Sequence, residues 1–280
     1  MKHGSVSSQV VVRYFSAGDL AAVGRISQGA GQPEPDSGAD PDYVAVLLKT
    51  GTVAVAETGS GVVVGWGAVK PTARGSHLTD LFVDSQWHGV GVGAALIRFL
   101  WPDAPMGPGR FTFSSRHAHA IPLYARMGLV PSWPLLYLTG DPRHLAEGAV
   151  TAKRVSAADA ARAEAVITGF DRASDHAFWA RRDGATGLLL QDHTGVVAAG
   201  AGTPAELTHL VCVTDCDATA TVLAALRVLG SDEIAICLPG PHPALLPLLQ
   251  GGLRITDQDV HMATPDVLLP TTWVYSPGLA

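Results

Sequence analysis

His88-Gly-Val-Gly-Val-Gly-Ala-Ala-Leu-Ile97 decides the reading of this chain. The stretch follows an apolar, β-rich run, His77 to Asp84, that reads as a strand. It opens an amphipathic run, Gly93 to Trp101, that reads as a helix stopped by Pro102. Glycines let a backbone turn tightly and approach a ligand closely. The free N–H groups of the helix start then face that ligand and favour negative charge. The physical reading is a diphosphate cradle between strand and helix.

Two other phosphate loops fit less well. Gly89-x-Gly91-x-x-Ala94 has the form of a dinucleotide fingerprint. There the strand runs almost directly into the first glycine, whereas Asp84-Ser-Gln-Trp-His88 intervenes here. No Asp or Glu follows about 20 residues on, as a ribose-binding acid would. Arg116 could serve a 2′-phosphate, which keeps an NADP oxidoreductase as a third-ranked reading. A P-loop fails, because no Gly-Lys-Ser/Thr follows.

Further out, the composition sets bounds. The 280 residues predict about two domains at roughly 150 residues each. An apolar fraction of 47% against 16% charged gives ample core material. A net charge of −6 speaks against a nucleic-acid grip, which needs clustered Lys and Arg. Met1 to Phe15 has no long apolar run, so no secretory signal is expected there. No stretch approaches the ~18 apolar residues of a membrane span. Three cysteines, Cys212, Cys216 and Cys237, make no disulfide framework, so a reducing cytoplasm is the expected location. Cys212 and Cys216 lack the partners of a zinc site and read as ordinary buried thiols; no metal is expected.

The chain also repeats itself. Tyr14–Asp19 resembles Arg154–Asp159, and Val63–Gly67 resembles Ala198–Gly202. Thr79–Val83 resembles Thr208–Cys212, and Leu123–Leu129 resembles Leu248–Leu253. The matches keep their order while the offset shrinks, as two copies of one fold with shorter loops in the second would give. The boundary is expected within Thr139 to Thr151, giving domains 1–145 and 146–280. In the first copy, Leu20–Ile26 reads as a helix capped by Ser16, and residues 30 to 41 as a loop. Val53–Glu57 and Val62–Val69 read as a hairpin, and Phe111–Ser114 as a short strand. His119–Met127 reads as a helix ended by Gly128, and Leu135–Leu138 as a last strand. Strands mixed with helices in this way predict an α/β or α+β layer fold.

Two stretches resemble the signature of the GNAT superfamily of acyl-CoA N-acyltransferases. The first is Leu81-Phe-Val83 leading to His88-Gly-Val-Gly91-Val-Gly93; the second is His117-Ala-His-Ala120-Ile-Pro-Leu-Tyr124-Ala-Arg-Met-Gly128-Leu129. Their spacing matches the family's, with three departures. His88 stands for the usual Arg or Gln, His117 for Asn, and Leu129 for an aromatic. The resemblance covers residues about 8 to 140. It implies two tandem GNAT-like domains, each a mixed, mostly antiparallel sheet flanked by helices. It implies acetyl-CoA as cosubstrate, with the cofactor against Leu81, Phe82, Val83, His88, Gly89, Val90, Gly91, Val92, Gly93, Ala94 and His117. The second copy has Val213-Thr-Asp-Cys-Asp-Ala-Thr219 in place of the glycine loop, and no Tyr where Pro243–Leu249 replaces the Tyr helix. Asp215 and Asp217 would repel a diphosphate, so this copy reads as degenerate, walling the acceptor cleft. Asp175, His176 and Trp179 are candidates to line that cleft.

The chemistry expected is transfer of an acetyl group to a primary amine by direct attack. The amine must be neutral, the oxyanion needs donors, and the departing thiolate needs a proton. Strand alternation would put His77, Thr79, Leu81 and Val83 on one face, making His77 the candidate base. Asp80, on the other face, and Glu57, on another strand, rank below it. The resemblance gives the Val83 N–H to the thioester carbonyl and Tyr124 to the leaving thiolate. The acceptor is expected to be a small-molecule or peptide amine, with no nucleic acid and no membrane as partner; a homodimer is left open. The rival reading is a catalytically silent acyl-CoA-binding or regulatory module.

Overall fold

The computed structural model describes residues 10–31, 37–102, 109–145, 148–230 and 232–280. The first half runs β1 (Val10–Tyr14), α1 (Leu20–Gly29), α2 (Pro41–Thr50), β2 (Thr52–Thr58), β3 (Val63–Thr72), β4 (Gly75–Val83), α3 (Val92–Leu100), β5 (Arg110–Ser114), α4 (Ala120–Arg126) and β6 (Val130–Gly140). The second runs β7 (Thr151–Val155), α5 (Ala157–Thr168), α6 (Ala173–Trp179), β8 (Thr186–Asp192), β9 (Gly195–Thr203), β10 (Glu206–Cys212), α7 (Ala218–Leu229), β11 (Ile234–Pro239), α8 (Leu245–Gln250) and β12 (Arg254–Ala263). The order of strands and helices is the same in both, so the internal repeat is a repeat of fold.

The chain forms two compact units that do not follow a single cut. The first holds Met1–Thr112, His117–Val130 and Met262–Val267; the second holds Phe113–Arg116, Pro131–His261 and Leu268–Ala280. Most of β6, which follows the α4 helix of the first half, therefore belongs to the second unit, where it pairs antiparallel with β11 from Leu135↔Pro239 to Gly140↔Ile234.

In the first unit, β1, β2, β3 and β4 are joined antiparallel in that order. β4 then meets β5 in parallel at only two positions, Ser76↔Arg110 and His77↔Phe111. Beyond them Thr112 donates its hydroxyl to Leu78 O, and the two strands part. The second unit repeats this, with β7 to β10 antiparallel and β10 parallel to β11 only at Glu206↔Ala235 and Leu207↔Ile236.

Helices cover both faces of the first sheet. Cβ atoms built at Gly65 and Gly67 would approach Val92, Leu96 and Leu100 of α3, so glycine at both positions lets that helix lie close. On the other face Trp66 donates to Ser27 of α1, and Tyr43 of α2 is fully buried. α2 starts as local chemistry dictates, with Asp40 capping the Asp42 N–H and Pro41 in the first turn. The expected loop over 30 to 41 falls partly outside the described residues. Ser16 leads into α1 through a short 3₁₀ turn, Ala17–Asp19, where the Asp19 carboxylate accepts the Ser16 N–H at 2.7 Å. Arg13 holds that carboxylate down to a pKa of about 2. No described helix is long and apolar enough to cross a membrane.

Candidate acyl-CoA site

The exposed turn His88–Gly91 leads directly into α3. Gly89 and Gly91 have φ of +76° and +93°, a left-handed backbone that costs other residues roughly 1–2 kcal/mol. A Cβ at either would meet no protein atom within 4 Å, so the turn borders open space. Gly91 is the N-cap and gives α3 no side-chain bond, and the first bond inside the helix is Ala95 N–H to Gly91 O. The N–H groups of Val92, Gly93 and Ala94 thus have no partner within the helix. An anion fits here by charge and by space.

The second motif lies against the first. A Cβ at Gly93 would come within 3.3 Å of Leu123 Cδ2, so glycine at 93 lets α4 approach the start of α3. The His88 and His117 rings meet edge to face at 5.5 Å, with His119 beyond at 5.4 Å from His117. Tyr124 is buried on α4, and its carbonyl accepts the Leu129 N–H.

The inner edge of β4 completes the site. Asp84 N–H donates to Val64 O on β3. Alternation along the strand therefore turns the N–H and C=O of Leu81 and Val83 the other way, into the gap where β4 leaves β5. His88 Nε2–H donates to Val83 O at 2.8 Å, leaving the Val83 N–H, and both groups of Leu81, without a bond among the described residues. His88, which departs from the family pattern, thus braces the strand end. Leu81, Phe82 and Val83 are half-exposed along this edge.

The expected face of His77 is corrected by a bulge. Ala68 pairs with Asp80 and Val69 with Leu78, so Thr79 is an extra residue in β4. His77 consequently shares the face of Asp80 and Phe82, opposite Leu81 and Val83. It is fully buried and stacks on Phe111 at 4.7 Å and 4°. Asp80 accepts from Tyr43 Oη at 2.8 Å, and burial raises its carboxyl to about 6, against the opposing hydrogen bonds of Thr79 and Tyr43. Glu57 is engaged by Arg13 Nε at 2.7 Å. Arg116, the residue that kept NADP in play, pairs with Asp257 at 2.7 Å.

In the second unit both features are closed. Asp217 caps α7, its carboxylate accepting the Ala220 N–H at 2.9 Å, so a side chain fills the anion position that Gly91 leaves open. Leu210 corresponds to Leu81 in the repeat, and its N–H and C=O are bonded to Val274 at 3.1 and 2.9 Å. Trp273 Nε1 donates to Cys212 O, the counterpart of Val83 O. The chain's own C-terminal segment occupies the strand edge that is bare in the first unit. Sequence reading missed this, because residues 272–275 carry no motif.

Asp175, His176 and Trp179 are each about 1% exposed, inside the second unit rather than lining an open cleft. Of the three, His176 reaches Glu164, which accepts from His176 Nε2 at 2.6 Å and from His209 Nε2 at 3.0 Å. Arg172 bonds Asp175 at 2.7 Å and also the carbonyl of Leu279. Burial would raise the Glu164 carboxyl, but His209, Arg172 and His176 outweigh it and hold it well below its ordinary value.

Residues 49–130 match the family model described as acetyltransferase (GNAT) domain. No curated protein matches the chain in sequence. Among solved structures, a candidate acetyltransferase from Pyrococcus horikoshii has a TM-score of 0.72 at 16% identity, over 100% of this chain and 98% of that one. A GCN5-related N-acetyltransferase from Kribbella flavida has 0.61 at 16% identity, over 93% and 72%. A tandem GNAT protein from the clavulanic acid biosynthesis pathway has 0.58 at 14% identity, over 94% and 100%. Residues 49–130 thus carry the match to a GNAT domain, and the fold of the chain is the one these acetyltransferase structures share. Each half repeats the same order of strands and helices, a GNAT-like fold in each, as in that tandem structure.

Proposed function

We propose that the first unit is an acetyl-CoA-dependent N-acetyltransferase that moves the acetyl group to a primary amine by direct attack. One observation carries this reading: the uncapped start of α3 and the bare edge at Leu81 and Val83 lie in one unit, while their counterparts are filled in the other. The backbone from Gly89 to Ala94 would hold a diphosphate, and the edge of β4 would pair with the amides of a pantetheine arm. Acetyl-CoA supplies an activated acetyl thioester.

The Val83 N–H polarises the reacting carbonyl, and Tyr124, protonated at neutral pH, donates to the departing sulfur. Proton removal from the amine is given to Asp80, whose carboxyl burial raises to about 6. His77, fully buried against Phe111 on the face opposite Leu81 and Val83, ranks second. His77→Gln and Asp80→Asn distinguish them: the variant that removes the acidic limb of the kcat/KM profile identifies the base. The acceptor is a small-molecule or peptide amine, and the second unit has a supporting role.

The decisive assay is free-thiol release from acetyl-CoA with a panel of primary amines. Amine-dependent release supports the reading. Tight CoA binding with no release for any amine would favour the silent-module reading instead.

A further inference from the structure

His88 ties the glycine turn to the end of β4. It directly precedes Gly89, and its Nε2 meets Val83 O at 2.8 Å. A carbonyl oxygen only accepts, so Nε2 carries the proton and Nδ1 of the neutral ring carries a lone pair. Nδ1 has no bond among the described residues, and the side chain is exposed. His117 is set the other way. Its Nδ1 accepts the His119 N–H at 3.4 Å, so the proton of the neutral ring is on Nε2. Protonation therefore costs His88 no bond and gives it a second donor, whereas it costs His117 the bond from His119. The two rings stand 5.5 Å apart, so charging one opposes charging the other. The remaining charges on the neighbouring elements are engaged or distant. Asp84 pairs with Arg25 at 3.1 Å, and Arg116 with Asp257 at 2.7 Å. Arg98 and Arg126 lie in the last turns of α3 and α4, away from the helix starts. His119, exposed, lies 5.4 Å beyond His117.

We propose that binding of acyl-CoA to the first unit takes up a proton on His88, so that affinity rises as the solution becomes more acidic. This rests on the acetyl-CoA reading above. A diphosphate at the uncapped start of α3 brings negative charge beside the ring that precedes the turn. Opposite charge favours the protonated form of an imidazole. Histidine is also the side chain that changes charge between pH 5 and 8. The proton comes from solvent and goes to Nδ1, while Nε2 keeps its bond to Val83 O. The cation is thus held at the strand edge and cannot swing away with the solvent. His117 stays a neutral donor through Nε2, so its contribution is the same across this range. Linkage fixes the sign: a ligand that favours the protonated ring is itself bound more tightly when the ring is protonated.

The test titrates the full chain with 3′-dephospho-CoA. This probe keeps the diphosphate but lacks the phosphate monoester, whose own second proton titrates near pH ~6. Calorimetry between pH ~5.5 and ~8, in pairs of buffers with different ionisation enthalpies, reads both affinity and protons taken up. The unmutated chain should take up a proton on binding and bind at least about fivefold more tightly at the acidic end, the low end of typical coupling. His88→Gln keeps an N–H for Val83 O but cannot titrate, so it should bind with no uptake and a flat profile. His88→Arg is permanently charged and should also be flat, with tighter binding than the unmutated chain at the alkaline end. It decides the question if the Gln variant does not fold. His117→Gln should keep the slope. A slope that survives in either His88 variant, or that is lost in His117→Gln alone, would overturn the assignment to His88. Binding by the unmutated chain with no slope and no uptake would overturn the inference and leave the acetyl-CoA reading standing. No binding of dephospho-CoA or CoA at any pH would overturn both.

Discussion

Gly91 is the position where backbone geometry and ligand chemistry can be separated. Its φ of +93° lies in the left-handed region, and a Cβ there meets no protein atom within 4 Å. Gly91→Ala therefore adds no clash, only backbone strain of roughly 1–2 kcal/mol. Chemical denaturation should show that loss if the turn keeps its shape. If the turn relaxes instead, stability is retained but the start of α3 loses its aim, and CoA affinity falls. Gly91→Glu adds to this a carboxylate at the point where the proposed diphosphate meets the uncapped helix start. Opposite charge at such an end is typically worth about 0.3–1 kcal/mol, and up to ~2 where partly buried. Replacing that attraction by repulsion, together with bulk in the cradle, should lower CoA affinity at least tenfold, as calorimetry would read. A folded Gly91→Glu protein that binds CoA with unchanged affinity would refute the cradle.

Tyr124→Phe keeps the ring and removes the hydroxyl; general-acid help is worth about 10²–10⁴-fold, so kcat should fall at least about tenfold with CoA affinity nearly unchanged. Steady-state thiol release beside a binding titration checks this, and an unchanged kcat would return Tyr124 to the core. Asp80 binds its proton more tightly folded than unfolded, so its penalty is absent below pH ~3.8 and complete above about 6, amounting to roughly 3 kcal/mol at 1.36 kcal/mol per pKa unit. Asp80→Asn should accordingly gain stability relative to the unmutated chain as pH rises through that window, measured by denaturation at pH 4 and pH 7. Glu164→Gln breaks a buried ionic network and should cost about 3–5 kcal/mol in unfolding free energy. Asp217→Ala should lose about 1 kcal/mol of capping without creating a second CoA site, because Val274 still occupies the Leu210 edge.

What was legible in the sequence was local. The glycine loop, the Tyr124 helix and the hairpin each rest on neighbours in the chain, and their elements fall close to where spacing put them. α2 had its signals, Asp40 and Pro41 before Tyr43, Val44 and Leu47, yet they sat beside a turn-rich stretch that drew them into a loop. The bulge at Thr79 was not legible, since one extra residue carries no composition of its own, and it moved His77 to the other face. The placement of β6 with β11 and of Val274 with Leu210 depends on pairings between distant segments that no periodicity encodes. The Glu164 network likewise joins α5, α6 and β10, with partners up to 45 residues from Glu164.

The central proposal is one acyl-CoA site per chain, at the first unit's open cradle and bare strand edge. Calorimetric titration of the full chain with CoA tests that most directly. It should give a single class of site with a stoichiometry near one, both for the unmutated protein and for Asp217→Ala. Two equivalent sites per chain, or no binding at all, would contradict it.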